Sequence, residues 1–190
     1  MFISIEGIDG TGKSTVTKLL AEKIGCTAIS TPPEVIKEIR SQYDGSQSAK
    51  ARYYFYLSGL YLLDEKIRNL MTLGHLICDR HIHSTLAYQY PVDESFPVDI
   101  NQLFTDIQKP DKTILLTTDN VIRKNRMLSR MKVSGIENSI ADYNYAIQEL
   151  ALSRFLLMPD LIHIDTTHCD ASAVCNKIFN LLQMDLKNET

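Results

Sequence analysis

The chain has 190 residues, 44% of them hydrophobic and 23% charged, with a net charge of −3. That is enough for one α/β domain with a sizeable core, and the acidic balance argues against broad nucleic-acid or membrane-surface binding. No apolar run reaches the length of a membrane span, no secretory leader is visible, and the four cysteines lack metal-site spacing, so a reduced, cytoplasmic protein is expected.

Met1 to Ile5 is apolar and reads as a buried strand. The next stretch, Gly7-Ile8-Asp9-Gly10-Thr11-Gly12-Lys13-Ser14, has the spacing G-x-x-x-x-G-K-S of a phosphate loop. Its glycines let consecutive backbone N–H groups turn toward a polyphosphate. Lys13 then reaches the β- and γ-phosphates, and the Ser14 hydroxyl can ligate Mg²⁺. Thr15 and the residues after it start a helix whose positive end faces the anion. Val16, Leu19, Leu20 and Ile24 share that helix's apolar face.

Cys26 to Ser30 is expected as a second strand, Thr31 to Glu34 as a turn, and Val35 to Gln42 as a short helix. A long helix follows to about Thr72, capped by Ser46 or Ser48 and closed by Leu73-Gly74. Its run Tyr53-Tyr54-Phe55-Tyr56 cannot all face one way, so part of it is core. His75 to Cys78 is a strand ending in Asp79-Arg80-His81. An aspartate after an apolar strand can support Mg²⁺ in a phosphate-loop protein, and the arginine fork suits phosphate; a surface ion pair is the alternative.

Ser84 to Tyr90 is helical, Pro91 to Pro97 a loop, Val98 to Ile107 helical, and Lys112 to Thr117 a strand. From Asp119 a basic helix carries Arg123, Arg126 and Arg130 at spacings of three and four, on one face. That face is either solvated or a lid over phosphates. Glu137 to Leu157 is expected as a helix ended by Pro159, Leu161 to Asp165 as a strand, and Ala171 to Asp185 as the last helix. Strands alternating with helices predict a parallel, doubly wound sheet with ligands at the carboxyl ends of its strands. No internal repeat or linker divides the chain, so one domain over residues 1–190 is expected.

The phosphate loop joined to Asp79-Arg80-His81-x-x-Ser84-Thr85-x-Ala87-Tyr88-Gln89 resembles the bacterial thymidylate kinases. Pro110-Asp111 before the strand Lys112 to Thr117, and the arginine-bearing segment after it, are similar too. The resemblance implies a P-loop kinase fold with a five-stranded parallel sheet, and transfer of the γ-phosphoryl group of Mg·ATP to dTMP. It implies a lid over residues 123–140 and a homodimer, with nucleotides rather than nucleic acid or membrane as partners. Carried over by position, Gly7, Ile8, Asp9, Gly10, Thr11, Gly12, Lys13, Ser14, Thr15 and Arg126 would hold ATP. Lys13, Arg80, Asp9, Arg126 and Arg130 would be catalytic, and Ser14 and Asp79 would meet the metal. Asp9, Phe55, Arg80, Ser84, Thr85, Tyr88 and Gln89 would line the acceptor site, with Phe55 stacked on thymine.

Two positions depart from the family pattern. Gly59 stands where an arginine follows the stacking aromatic, and leaves space for a ligand or a neighbouring helix. Val35 stands where another arginine grips the acceptor phosphate, with Lys37 and Arg40 one or two turns along to compensate. A kinase acting on a deoxynucleoside or modified nucleotide is therefore an alternative. A P-loop regulatory switch is remoter, because the chain has no Asn-Lys-x-Asp segment for reading guanine.

Overall fold

The computed structural model describes residues 1–45, 48–90, 100–134 and 145–186. Five parallel strands, β1 (Phe2–Glu6), β2 (Thr27–Ser30), β3 (Leu76–Asp79), β4 (Lys112–Thr117) and β5 (Leu161–Asp165), lie in the order β2-β3-β1-β4-β5. The helices between them are α1 (Lys13–Ile24), α2 (Glu34–Lys37), α3 (Arg40–Asp44), α4 (Ala49–Met71), α5 (Ile82–Gln89), α6 (Ile100–Asp106), α7 (Asn120–Ser134), α8 (Tyr145–Leu157) and α9 (Ala171–Leu186).

The central strand shows why both faces are covered. Ile3 and Ile5 point into a core with Val16, Leu20, Ile178 and Leu182, on the side of α1 and α9. Phe2 points the other way, into a cluster with Leu63 and Ile67 of α4. Burying each such side chain contributes roughly 1.5–3 kcal/mol. Strand alternation puts Ser4 and Glu6 on the Phe2 side, where the His81 N–H and the Ser84 hydroxyl reach Glu6.

β1 also sets the site. It is flanked by β3 on one side and β4 on the other, so the connections leave it in opposite directions. The pairing of Ile5 with Asp79 brings the phosphate loop and the Asp79-Arg80 turn side by side.

Several boundaries differ from expectation. The single helix over 35–42 is two, α2 and α3, interrupted at Glu38 and Ile39. Ser48 is the cap of α4, its hydroxyl accepting from the Ala51 N–H at 3.2 Å. The space left by Gly59 is filled by protein. A Cβ there would sit 2.6 Å from Ile36 Cδ1 and 3.2 Å from Pro33 Cδ, so glycine lets α2 seat directly on α4. The loop Pro91 to Pro97 lies outside the described residues. So do the part of the expected lid from residue 135 onward and the first turns expected of the helix at Glu137.

Candidate functional site

The phosphate loop runs from β1 to α1 through glycines at positive φ: Gly7 at 140°, Gly10 at 87° and Gly12 at 96°. Two of these are also sterically required. A Cβ on Gly7 would collide with the Leu116 carbonyl, and one on Gly10 would meet Arg123 Cγ at 2.6 Å. Helix α1 begins at Gly12 without a side-chain cap, which leaves its first N–H groups for an anion. Lys13 folds back over the loop, donating to the Ile8 carbonyl at 2.8 Å and lying 3.7 Å from Asp9. Burial pushes its pKa down to about 8; the Arg80 charge adds to this, while Asp9, Asp79 and Glu6 oppose it.

Arg80 follows β3 with φ at 70°, a left-handed conformation that costs a non-glycine residue on the order of 1–2 kcal/mol. The bend turns its guanidinium over the phosphate loop. There it pairs with Asp9, donates to the Gly7 carbonyl at 3.1 Å and to Ser84 Oγ at 3.2 Å, and lies over the Tyr88 ring. Burial works against its charge, but Asp9, Tyr88, Asp79 and Glu6 outweigh it and raise the pKa further above the usual arginine value.

Arg80 and Asp9 line two clefts at once. One, of about 420 Å³, is bounded by Gly12, Lys13, Ser14, Thr15 and Asp79. The other, of about 170 Å³, is bounded by Tyr56, Ser84, Thr85, Tyr88 and Gln89. Arg40, Thr31 and Pro32 border both. A third cleft lies on the far side of Gly12 and is lined by Gly10, Thr11, Thr15, Arg126 and Thr166. The Arg126 guanidinium donates there to Thr166 Oγ1 at 3.0 Å and to the Thr166 carbonyl at 2.9 Å.

The expected metal pair is in contact: Ser14 Oγ donates to Asp79 Oδ2 at 2.5 Å. The other oxygen, Asp79 Oδ1, is buried and has no hydrogen-bond partner among the described residues. A hydroxyl and a carboxylate oxygen are hard donors that suit Mg²⁺. No group of three acidic, His or Cys residues among the described ones could hold a metal by itself. The pair therefore fits a cation whose shell is completed by phosphate and water oxygens.

Some expected residues stand elsewhere. Phe55, expected at the acceptor site, does not line the cleft of Tyr56, Ser84 and Gln89; it is 7% exposed and its ring is stacked on Tyr43, centroids 4.1 Å apart. Tyr56, one residue on, reaches the cleft instead. Arg123 does not lie over the phosphates with a lid. It is wholly buried beside the phosphate loop, donating to the Asp9 carbonyl at 3.3 Å and to Gln148 of α8, with Tyr145 against its face. Arg130 lies on α7, but its side chain is outside the described residues.

One further residue of the site, Glu6, carries no sequence signal of its own. Glu6 is fully buried and accepts from Ser4 Oγ at 2.9 Å, the His81 N–H at 2.7 Å and Ser84 Oγ at 2.5 Å, tying β1 to the start of α5. Burial raises its pKa, while these hydrogen bonds and Arg80 pull the other way. Arg40 donates to Tyr56 Oη at 2.8 Å and to Asp44 at 2.9 Å.

A family model described as thymidylate kinase matches residues 5–171. The chain is 31% identical over 193 residues to a probable thymidylate kinase of Methanococcus maripaludis strain C7, covering 95% of this chain and 94% of the relative. It is 28% identical to the thymidylate kinase of Ehrlichia canis, over 97% of this chain and all of that one. The solved thymidylate kinase of Candida albicans superposes with a TM-score of 0.75 at 22% identity, covering 97% of this chain and 91% of that one. The one from Ehrlichia chaffeensis gives 0.66 at 23%, covering 96% and 98%. Likeness at that identity speaks for the fold.

Proposed function

The chain belongs to the thymidylate kinase family, and from that premise we propose how its clefts divide the work of phosphorylating dTMP. The reaction is ATP-dependent: a phosphate oxygen of dTMP attacks the γ-phosphorus, the bond to the β-bridging oxygen breaks, and dTDP and ADP result. Little covalent chemistry is asked of the protein. Catalysis is positioning plus stabilisation of the charge spread over the transferring group.

The phosphate-loop amides and the uncapped start of α1 hold the triphosphate of ATP, with Lys13 on its outer phosphates. The base and sugar of ATP extend past Gly12 toward Arg126 and Thr166. On this reading Arg126, which donates to Thr166 at the third cleft, serves the nucleoside side of the donor rather than the reacting centre. Ser14 and Asp79 would hold Mg²⁺, which when bound supplies positive charge to offset that of the phosphates. The dTMP enters between Tyr56 and α5. Ser84, Thr85, Tyr88 and Gln89 meet its sugar and base, and Arg80 meets its phosphate. Arg40, at the border of both clefts, supplies the second positive charge on the acceptor side that Val35 and Gly59 do not.

The observation that carries this reading is the position of Arg80. Its guanidinium is tied to Asp9 and the Gly7 carbonyl of the donor loop and to Ser84 of the acceptor helix, where one group can touch both phosphates. ADP release coupled to an indicator reaction, with dTMP and Mg·ATP, tests it. Lys13→Ala and Arg80→Gly, made singly, are each expected to abolish turnover. Parental rates in either variant overturn the assignment.

A homodimer through α4 accompanies this reading. Tyr54, Tyr61 and Leu62 are exposed on that helix, at 55%, 44% and 60%, and a second copy would cover them. Sedimentation equilibrium decides it. Among the described residues no helix is long and apolar enough to cross a membrane. The cytoplasm, where ATP and dTMP meet, is the compartment the reading implies.

A further inference from the structure

A side chain behind the acceptor cleft bears on which base the cleft takes. Arg52, near the start of α4, donates through Nε to Oε1 of Gln89 at 3.3 Å. Gln89, on the last turn of α5, lines the cleft; Arg52 is not part of that lining. A carboxamide has one acceptor end and one donor end, whereas a guanidinium has five donors and no acceptor. Arg52 therefore accepts Gln89 only one way round. Turned over, the amide would set an NH₂ against the guanidinium and lose the hydrogen bond.

Pyrimidine edges come in two polarities. A 4-oxo base offers an acceptor at O4 and a donor at N3–H. A 4-amino base offers a donor at N4 and an acceptor at N3. A free carboxamide pairs with either by turning over, so on its own it discriminates poorly. We propose that Arg52 locks the Gln89 amide and thereby makes the acceptor site selective for a 4-oxo pyrimidine nucleotide over a 4-amino one. In the locked orientation Nε2 donates to O4 of the base. Oε1 has two lone pairs, and accepts from N3–H with one while Arg52 occupies the other. A 4-amino base then meets donor against donor and acceptor against acceptor.

Arg52 is a positioning residue on this account, because it acts through Gln89. It stands three residues before Phe55, whereas position 59, four residues after, is closed by Ile36 and Pro33. A single charged side chain on α4 thus supplies the polarity that nothing at position 59 can.

The proposal rests on the reading that Gln89 faces the acceptor base, and the experiment separates the two. kcat/KM is measured with dTMP, dUMP and dCMP for the parent, Arg52→Lys, Arg52→Gln, Arg52→Met and Gln89→Leu. Lysine is also a pure donor and is expected to keep the preference for dTMP and dUMP over dCMP. Glutamine at 52 can donate or accept, so it leaves the Gln89 amide free to turn. It is expected to lower the dTMP:dCMP ratio about tenfold or more, mainly through KM, with dUMP following dTMP. Arg52→Met is expected to do the same. Equal loss on all three acceptors, with the ratio unchanged in Arg52→Gln and Arg52→Met, overturns the proposal while leaving the acceptor site in place. A ratio unchanged in Gln89→Leu overturns the acceptor-site reading itself, and the proposal falls with it.

Discussion

Replacing Arg80 separates what the residue does for the reaction from what it does for the fold. Its guanidinium contacts Asp9, the Gly7 carbonyl and Ser84; on the proposed reading, a positive charge at that junction would face the oxygens of the transferring group. Losing such an arginine costs on the order of 10³–10⁵ in kcat, about 4–7 kcal/mol of transition-state stabilisation. The fold loses far less. Asp9 keeps Lys13 at 3.7 Å as a counter-charge. Moreover Arg80 sits at φ 70°, where a side chain is strained. Glycine relieves about 1–2 kcal/mol of that strain and returns part of it through the freedom of the unfolded chain. Arg80→Gly is therefore expected to be about 1 kcal/mol more stable than Arg80→Met, roughly 2–4 °C in Tm, and both should be catalytically dead. Thermal melts beside coupled ADP-release rates give both quantities. Arg80→Gly melting below Arg80→Met, or retaining kcat within about tenfold of the parent, refutes the reasoning.

Lys13 is buried with its pKa lowered to about 8, so its charge opposes folding. Lys13→Met should abolish turnover yet unfold at higher urea at pH 7, by up to about 3 kcal/mol, with the advantage vanishing as pH rises through 10.5. His81 and His83 are buried with pKa values lowered to about 3 and about 4. The unfolded chain takes up those protons first, so stability should fall as pH drops below about 6.5, each histidine contributing about 2 kcal/mol by pH 5. His81→Phe, which keeps a ring against Phe2, should remove about half of that slope in urea titrations at pH 7 and pH 5; an unchanged slope refutes the assignment. Asp79→Asn should leave the melting temperature of the protein nearly unchanged but raise the Mg²⁺ needed for half-maximal rate about 10–100-fold, read from a Mg²⁺ titration at fixed ATP.

The backbone frame was legible because continuous signals encode it. Lys112 to Thr117 and Leu161 to Asp165 are short apolar runs, and both are strands with the expected ends. The phosphate loop is legible because backbone geometry demands glycine at fixed spacing. Side-chain destinations were less so, since they depend on partners distant in sequence. Phe55 and Tyr56 are interchangeable by composition, and only the Tyr43 ring arriving from α3 decides which of them is covered. Spacing put Arg123 and Arg126 on one helical face, but Asp9 and Gln148 draw the first into the interior while Thr166 holds the second at a cleft. Glu6 belongs to no motif in the sequence, and only the β1–β3 register brings His81 and Ser84 to it.

The seat of α2 on α4 constrains how this molecule can change. Position 59 and Ile36 are locked together: any side chain added at the first strikes the second and the ring of Pro33. Installing an arginine at 59 alone would force Ile36 and Pro33 to give way, straining the segment that carries Arg40. A larger residue at 59 therefore calls for a change at Ile36 as well, which makes Gly59 occupied ground rather than a vacancy waiting to be filled.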